Sequence, residues 1–307
     1  MILCCGEALI DMLAVPVPGG TEAYLPHPGG AALNTAVALG RLGCPAGLFT
    51  GLSEDFFGDQ LRAHLRDSAV GFDTSTTSPA PTPLAFATLR GGEATYAFYD
   101  EGSALRRLDH FPKPIGLAEA FCFGGISLSH GRCAETFERM FTAVPPGALR
   151  IIDPNVRPAL IRDESTFRSR LRRMQECADL VKLSLDDLNW LAPDTGPETF
   201  AAALLKKRPR LVLVTQGAEG ATAYAKHGKI CCPSRKLTRP VKDTIGAGDT
   251  FLAGFLAELH RMKALDPGKV AALPSSATRK ALQFALRAAS FSVTRAGADP
   301  PWRAELD

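Results

Sequence analysis

Six short runs, almost wholly apolar, recur along the chain: MILCC (1–5), AGLFTG (46–51), AFCFGG (120–125), LRIIDP (149–154), DLVKLS (179–184) and RLVLVT (210–215). Runs of this length without polar alternation are strands covered on both faces. Helical patterns separate them. One covers 31–43, with Gly43 placed to end it, and another covers 58–70, with Leu61 and Leu65 on one face. Further helices are expected over 133–143, 165–176, 197–207, 246–262 and 276–293. Strand alternating with helix predicts a mainly parallel sheet between two helical layers. At 307 residues, 46% hydrophobic and 22% charged, the chain has core material for one large α/β domain spanning 1–307.

Two segments depart from this rhythm. Residues 10–25 read as extended chain with a Pro/Gly-rich bend, and 84–99 reads as a hairpin around Gly91-Gly92. Such strands have no place in the central sheet, so they predict a small separate sheet, a lid over a site. A net charge of +3 with both signs interspersed gives no basis for nucleic-acid or anionic-membrane binding. Arg168, Arg170, Arg172 and Arg173 read as a solvated helix face.

The eight cysteines show no C-x-x-C spacing. Neighbours such as Cys4 and Cys5 point to opposite faces of a strand, so free thiols in a reducing cytoplasm are expected rather than a disulfide scaffold or metal fork. Glu7 and Asp11 interrupt the apolar pattern of MILCCGEALIDML, unlike a secretory leader, and no uncharged run approaches the length of about 20 residues that a membrane span needs.

The stretch most informative about chemistry is DTIGAGDTF (243–251), which runs into LAGFLAELH. Glycines just before a helix allow a tight turn and aim backbone N–H groups at one point, where the helix dipole adds positive potential. Fixed donors of this kind stabilise charge on a phosphoryl group in flight. Asp249 beside them is placed to accept the proton of an attacking hydroxyl. A plain helix start, with Asp249 complementing the dipole, would use the same residues.

Asp243, Thr244, Gly246, Gly248, Asp249, Thr250, Phe251 and Gly254 together resemble the C-terminal signature of the ribokinase-like (PfkB) carbohydrate kinases. HPGGAALNTAVALGRLG (27–43) resembles their N-terminal signature. The resemblance spans essentially the whole chain and implies the ribokinase-like three-layer α/β/α fold with a β lid. It implies that Asp11, Gly29, Gly30 and Asn34 hold sugar hydroxyls and that Phe98 covers the sugar's apolar face. By the same resemblance Gly246, Ala247 and Gly248 bind the transferring phosphoryl group and Asp249 is the base. In DPNVRP (153–158), Arg157 reaches phosphates while Asp153 and Asn155 order the loop or metal-bound water. Lys182 helps neutralise phosphates, and Thr215, Gly217 and Gly220 in VTQGAEGATAY form the nucleotide loop.

Where many relatives carry N-x-x-E for magnesium-bound water, this chain has Ser184-Leu185-Asp186-Asp187. Ser184 and Asp187 fit a capped helix start equally well. The resemblance further implies ATP and Mg2+, and K+ held by backbone oxygens at Asp243, Ile245, Ser292, Arg295 and Gly297. Open lid edges suggest a homodimer pairing lids.

GEALIDML, DPNVRP and FYDEGSA most resemble bacterial fructokinases. Asp100, in a lid position where sugar-acid kinases often carry arginine, would repel a substrate carboxylate and so favours a neutral ketose, D-fructose giving fructose 6-phosphate. Arg90 and Arg106 leave open a sugar acid such as 2-keto-3-deoxygluconate, or a sugar phosphate. A catalytically inactive sugar sensor is a more distant reading. No G-x-G-x-x-G follows the first strand and no Walker A sequence is present, against a dinucleotide oxidoreductase or P-loop enzyme.

Overall fold

A computed structural model describes residues 1–17, 22–90, 93–112, 118–237 and 239–306. In chain order its first elements are β1 (Ile2–Cys5), β2 (Leu9–Pro16), β3 (Glu22–Gly29), α1 (Ala31–Arg41), β4 (Ala46–Phe49) and β5 (Gly51–Ser53). There follow α2 (Phe56–Asp67), β6 (Val70–Gly71), β7 (Thr76–Ser78), β8 (Leu84–Arg90), β9 (Glu93–Tyr99), β10 (Ala120–Gly124), α3 (Gly131–Ala143) and β11 (Leu149–Asp153). The last part contains α4 (Glu164–Cys177), β12 (Leu180–Ser184), α5 (Leu185–Leu191), α6 (Pro197–Leu205), β13 (Leu211–Thr215), β14 (Ala221–Ala225), β15 (Gly228–Cys232), α7 (Ala247–Arg261), α8 (Pro267–Ala271) and α9 (Ser275–Ser292).

The large sheet runs β15-β14-β13-β12-β11-β10-β1-β4-β6. Its pairings are parallel except at the β13–β14–β15 end. Alternation along β1 divides the core: Ile2 and Cys4 pack with α1, α2, α7, α8 and α9, whereas Leu3 and Cys5 pack with α3, α4, α5 and α6. This is the three-layer sandwich that fully apolar strands require, and all eight cysteines are free. From β1 the chain first moves outward through β4 to β6, then returns to add β10 to β13 on the other side. The C-terminal ends of β1 and β10 therefore flank a switch point, where open α/β sheets leave a crevice.

The two anomalous segments pair as β3-β2-β8-β9, a separate four-stranded sheet. Leu9, Ala85 and Ile126 join it to the body, with Phe98 and Leu160 packed against them. The expected bend residues Gly91 and Gly92 lie outside the described residues. The side chain of Arg90 does so as well.

Several helix boundaries differ by one to three residues from the sequence expectation. The helix placed at 58–70 is Phe56–Asp67, because the Asp55 carboxylate accepts a 2.7 Å bond from Gly58 N and sets the start two residues earlier. At its far end Ala69 adopts φ 56°, turning Val70 into the sheet. Among the described residues no helix is long and apolar enough to cross a membrane.

Helix α7 is buried along most of its length and packs closely on α9: a Cβ at Gly254 would stand 2.9 Å from Ala285 Cα. Gly254→Val should therefore push these helices apart and lower unfolding free energy by about 1–3 kcal/mol, measured by urea denaturation.

Candidate active site

Five parallel strands deliver their next residues to one end of the sheet. Glu7 follows β1, Gly125 follows β10, Asp153 ends β11, Ser184 ends β12 and Thr215 ends β13. A cavity of about 760 Å³ opens there, bounded also by the lid residues Leu9, Asp11 and Phe98 and by the start of α7. It is an elongated cleft with apolar lid residues at one end and the 215–220 turn at the other.

Its centre is Asp249, in the first turn of α7 and 5% exposed. Both carboxylate oxygens are engaged: Asn34 Nδ2 donates to Oδ2 at 2.9 Å and Asn155 Nδ2 donates to Oδ1 at 3.2 Å. Asn34 comes from α1. Asn155 follows β11 with φ 42°, a left-handed conformation that asparagine tolerates better than most residues. Burial raises the Asp249 carboxyl above its ordinary range, opposed by the Asn34 amide and by the charges of Lys182 and Arg157.

Gly246 starts α7 with φ 72°, and a Cβ there would come within 2.7 Å of Ala298 Cβ. The Ala247 N–H donates to Thr244 O at 3.2 Å, closing the turn. The Gly246, Gly248 and Asp249 N–H groups have no partner within the described protein. A side chain at Gly248 would meet Lys182 Nζ at 3.0 Å, so glycine here brings the ammonium close to the helix start. Donors and cation converge on one point.

Lys182 and Asp153 form a buried pair, Nζ donating to Oδ2 at 2.7 Å, each less than a tenth exposed. Burial pushes the Asp153 carboxyl up to about 7 against the pull of Lys182. Burial alone would lower the lysine, but Asp153 and then Asp187 outweigh it, and the ammonium is held above its ordinary value. Arg157 is exposed and lines the cavity, with its guanidinium donating to Val156 O at 3.0 Å.

On the lid side, Asp11 pairs in register with His27, and a Cβ at Gly29 would lie 2.0 Å from Asp11 Oδ2. Glycine at 29 thus makes room for the carboxylate. Burial pushes Asp11 up to about 7; Arg157 lowers it, while Asp243, Asp249 and Glu7 raise it. Thr215, Gly217 and Gly220 line the opposite end. Gly220 has φ 113° and stands so close to Cys232 O that a Cβ would come within 2.2 Å.

Ser184 and Asp187 make a complete capping box on α5. Asp187 Oδ2 accepts from Ser184 N and Oγ at 2.9 and 2.7 Å, while Oδ1 accepts a 2.7 Å bond from Val156 N. Asp187 therefore fixes the loop carrying Asn155 and Arg157. Among the described residues no group of three or more His, Cys, Asp or Glu side chains is arranged to hold a metal ion. The unpaired buried Oδ1 of Asp153 and the exposed carboxylate of cavity-lining Asp186 suit outer contacts to a metal's water.

The sequence-expected cation loops do meet, since Asp243 accepts from Ile245 N and Gly297 N, both at 2.9 Å. Ser292 O and Gly297 O already accept from Arg295 N and Asp299 N at 3.0 and 2.9 Å, and none of Asp243, Ser292, Arg295 and Gly297 lines the cavity.

Asp100 requires a correction. It neither faces substrate nor solvent: it is 5% exposed and bound to Arg106, whose Nε donates to Oδ2 at 2.7 Å. Arg106 also donates to Ser129 Oγ, His130 O and Cys133 Sγ. Neither residue lines the cavity, so the charge argument built on Asp100 for a neutral ketose does not hold, and Arg106 is not available to a substrate carboxylate. Sequence reading also passed over Glu7, Gly125, Trp190 and Gln216, all in the cavity wall. An acid set among apolar residues at the end of the first strand, in CCGEALI, was the available signal for Glu7.

The sequence profile of the pfkB family carbohydrate kinases matches residues 1–305, and the chain belongs to that family. It is 43% identical over 281 residues to a fructokinase of Rhizobium leguminosarum bv. trifolii, covering 91% of this chain and 86% of that protein. Its structure resembles the fructokinase with bound ATP from Xylella fastidiosa with a TM-score of 0.89 at 31% identity, covering 99% and 97% of the two chains. A putative ribokinase II from E. coli, solved in complex with ATP and Mg2+, aligns with a TM-score of 0.84 at 25% identity, covering 97% and 94%.

The raised Asp11 carboxyl gives a stability signature. Its proton is held more tightly in the folded chain, so its contribution is full below the unfolded value near 3.8 and is lost as pH rises through about 7. Relative to Asp11→Asn, wild-type unfolding free energy should fall as pH rises from about 4 to 7 and then level off; a difference constant with pH would contradict this assignment.

Proposed function

We propose that the chain is an ATP-dependent fructokinase that transfers the γ-phosphoryl group to the primary 6-hydroxyl of D-fructose. The observation that carries the reading is the buried Asp249, held by two amides next to unpaired N–H groups at a helix start. A carboxylate with a raised pKa in that position is a base matched to a hydroxyl proton, and the adjacent donors suit developing phosphoryl charge. The identity to the Rhizobium fructokinase supports fructose over 2-keto-3-deoxygluconate.

In the proposed complex the sugar lies beneath the lid, with Asp11 and Asn34 binding hydroxyls and Phe98 over the ring. ATP extends toward Thr215, Gly217 and Gly220. Its triphosphate would bring Mg2+, which would neutralise phosphate charge; Asp186 in the cavity wall and the unpaired Oδ1 of Asp153 would hold the ion's waters, while Asp187 holds the loop. Asp249 takes the hydroxyl proton as the oxygen attacks the γ-phosphorus, whose bond to the β,γ-bridging oxygen breaks and releases ADP. Gly246 and Gly248 N–H groups, Lys182 and Arg157 hold the charge that develops on the transferring group. Ala247 contributes by closing the turn.

The lid is part of a single 1–307 domain in this reading, and its closure excludes water. Leu25 and Tyr99 are exposed on its outer strands β3 and β9, which supports a homodimer joined through lids. Backbone oxygens of the 243–245 and 292–297 loops are the proposed K+ site, and the cytoplasm is the proposed location.

Asp249→Asn should cut kcat by about 10²–10⁴-fold while fructose still binds by calorimetry; near-normal turnover would remove the base. Sugar-dependent ADP release from MgATP over fructose, 2-keto-3-deoxygluconate, ribose, adenosine and fructose 6-phosphate tests the acceptor. Selective turnover of fructose is expected, and preference for the sugar acid would overturn the substrate assignment.

A further inference from the structure

Glu7 is a buried carboxylate in the cavity wall to which the reaction scheme gives no task. It is 2% exposed and follows β1 at the switch point. Its Oε1 accepts from Ala31 N, the first residue of α1, and its Oε2 accepts from Ser127 N, both at 3.1 Å. Its backbone oxygen accepts from Leu33 N at 3.3 Å. Two glycines clear space around it: a Cβ at Gly30 would stand 2.7 Å from Glu7 O, and one at Gly125 would stand 2.1 Å from Oε1. Both have positive φ, 101° and 68°. Two separate segments, 30–33 and 125–127, are therefore shaped to fit this one residue.

We propose that Glu7 is a positioning residue, which locks the first turn of α1 against the Gly125–Leu128 turn and thereby sets where Asn34 presents its amide to Asp249. Asn34 lies one turn into α1, its N–H donating to Gly30 O at 2.8 Å and its side chain reaching Asp249 at 2.9 Å. The inference rests on the reading of Asp249 as base and of Asp11 and Asn34 as the sugar site. A carboxylate suits the place because both oxygens face N–H donors and a carboxylate only accepts. Glutamine would set an NH2 group against one of those donors. The helix start adds positive potential that favours the charged form.

Burial raises the Glu7 carboxyl above its ordinary range, opposed by the N–H groups of Ser127 and Ala31, and in its ionised form it adds negative charge to the cleft. Asp11 experiences it together with Asp243 and Asp249, opposed by Arg157. Removing that charge makes Asp11 easier to ionise, an effect that a purely space-filling role would not produce.

The test compares full-length wild type with Glu7→Gln by steady-state kinetics across pH. The KM for fructose should rise about tenfold, as expected when an acceptor to a buried donor is lost, while the KM for ATP stays within about twofold. The pH midpoint of the fructose KM should move downward. In an Asn34→Ala background the same substitution should add little, because the two act in series.

Gly125→Ala is the second variant. It displaces the carboxylate without removing its charge, and should raise the fructose KM with no shift of the pH midpoint. An unchanged fructose KM in both variants would overturn the proposal. So would full additivity with Asn34→Ala, or a parallel loss of ATP and sugar binding, which would make Glu7 a general fold-holding residue. Absence of fructose-dependent turnover in wild type would count against the fructose reading alone, and the same comparison would then be made with the sugar that does turn over.

Discussion

The bond from Asn34 to Asp249 is the constraint on which the site depends, because it joins residues 215 positions apart in sequence at one point beneath the lid. It requires α1 and α7 to lie side by side with their starts at the same end of the sheet. That placement follows from the parallel strands of the sheet, with α1 and α7 packed into the same core cluster on one of its faces. Asn155 completes the grip from the far side of the switch point, on a loop that Asp187 fixes through Val156 N. A buried carboxylate is costly unless its oxygens are paired. Here both pairing groups are neutral amides, so Asp249 is oriented without being neutralised.

Charge in the cleft follows the same logic. Glu7, Asp11, Asp153, Asp187 and Asp249 bring acids toward a small volume in which Lys182 is buried and Arg157 is exposed. Burial raises four of these carboxyls above their ordinary range. Lys182 stays charged because Asp153 and Asp187 outweigh its desolvation. The unpaired amides at the start of α7 offer a further positive contribution that needs no counter-ion and no reorganisation. The arrangement suits a polyanion that enters with its own metal and a neutral sugar that supplies hydroxyl donors to acids.

Much of this was legible from one sequence. The apolar strands could be read because strands covered on both faces leave no polar alternation, and the two glycines before Asp249 marked a helix start with exposed donors. The small separate sheet was legible as β-rich segments without partners in the central sheet. What escaped depends on tertiary pairing. Asp100 is silent about its environment until Arg106 is found folded beneath it. Ser184 and Asp187 satisfy a capping pattern that sequence can recognise, whereas the third bond, to Val156 N, joins a loop some 30 positions away. Glu7 was visible as an acid among apolar neighbours, but the two turns that meet it lie about 24 and 120 residues downstream.

The most direct test of the central claim is a crystal structure of the chain with fructose and a non-hydrolysable ATP analogue. The account predicts the fructose 6-hydroxyl within hydrogen-bond distance of an Asp249 oxygen, in line with a γ-phosphate held at the Gly246 and Gly248 N–H groups. A fructose whose primary hydroxyls point away from Asp249, or a triphosphate bound elsewhere than at the start of α7, would contradict it.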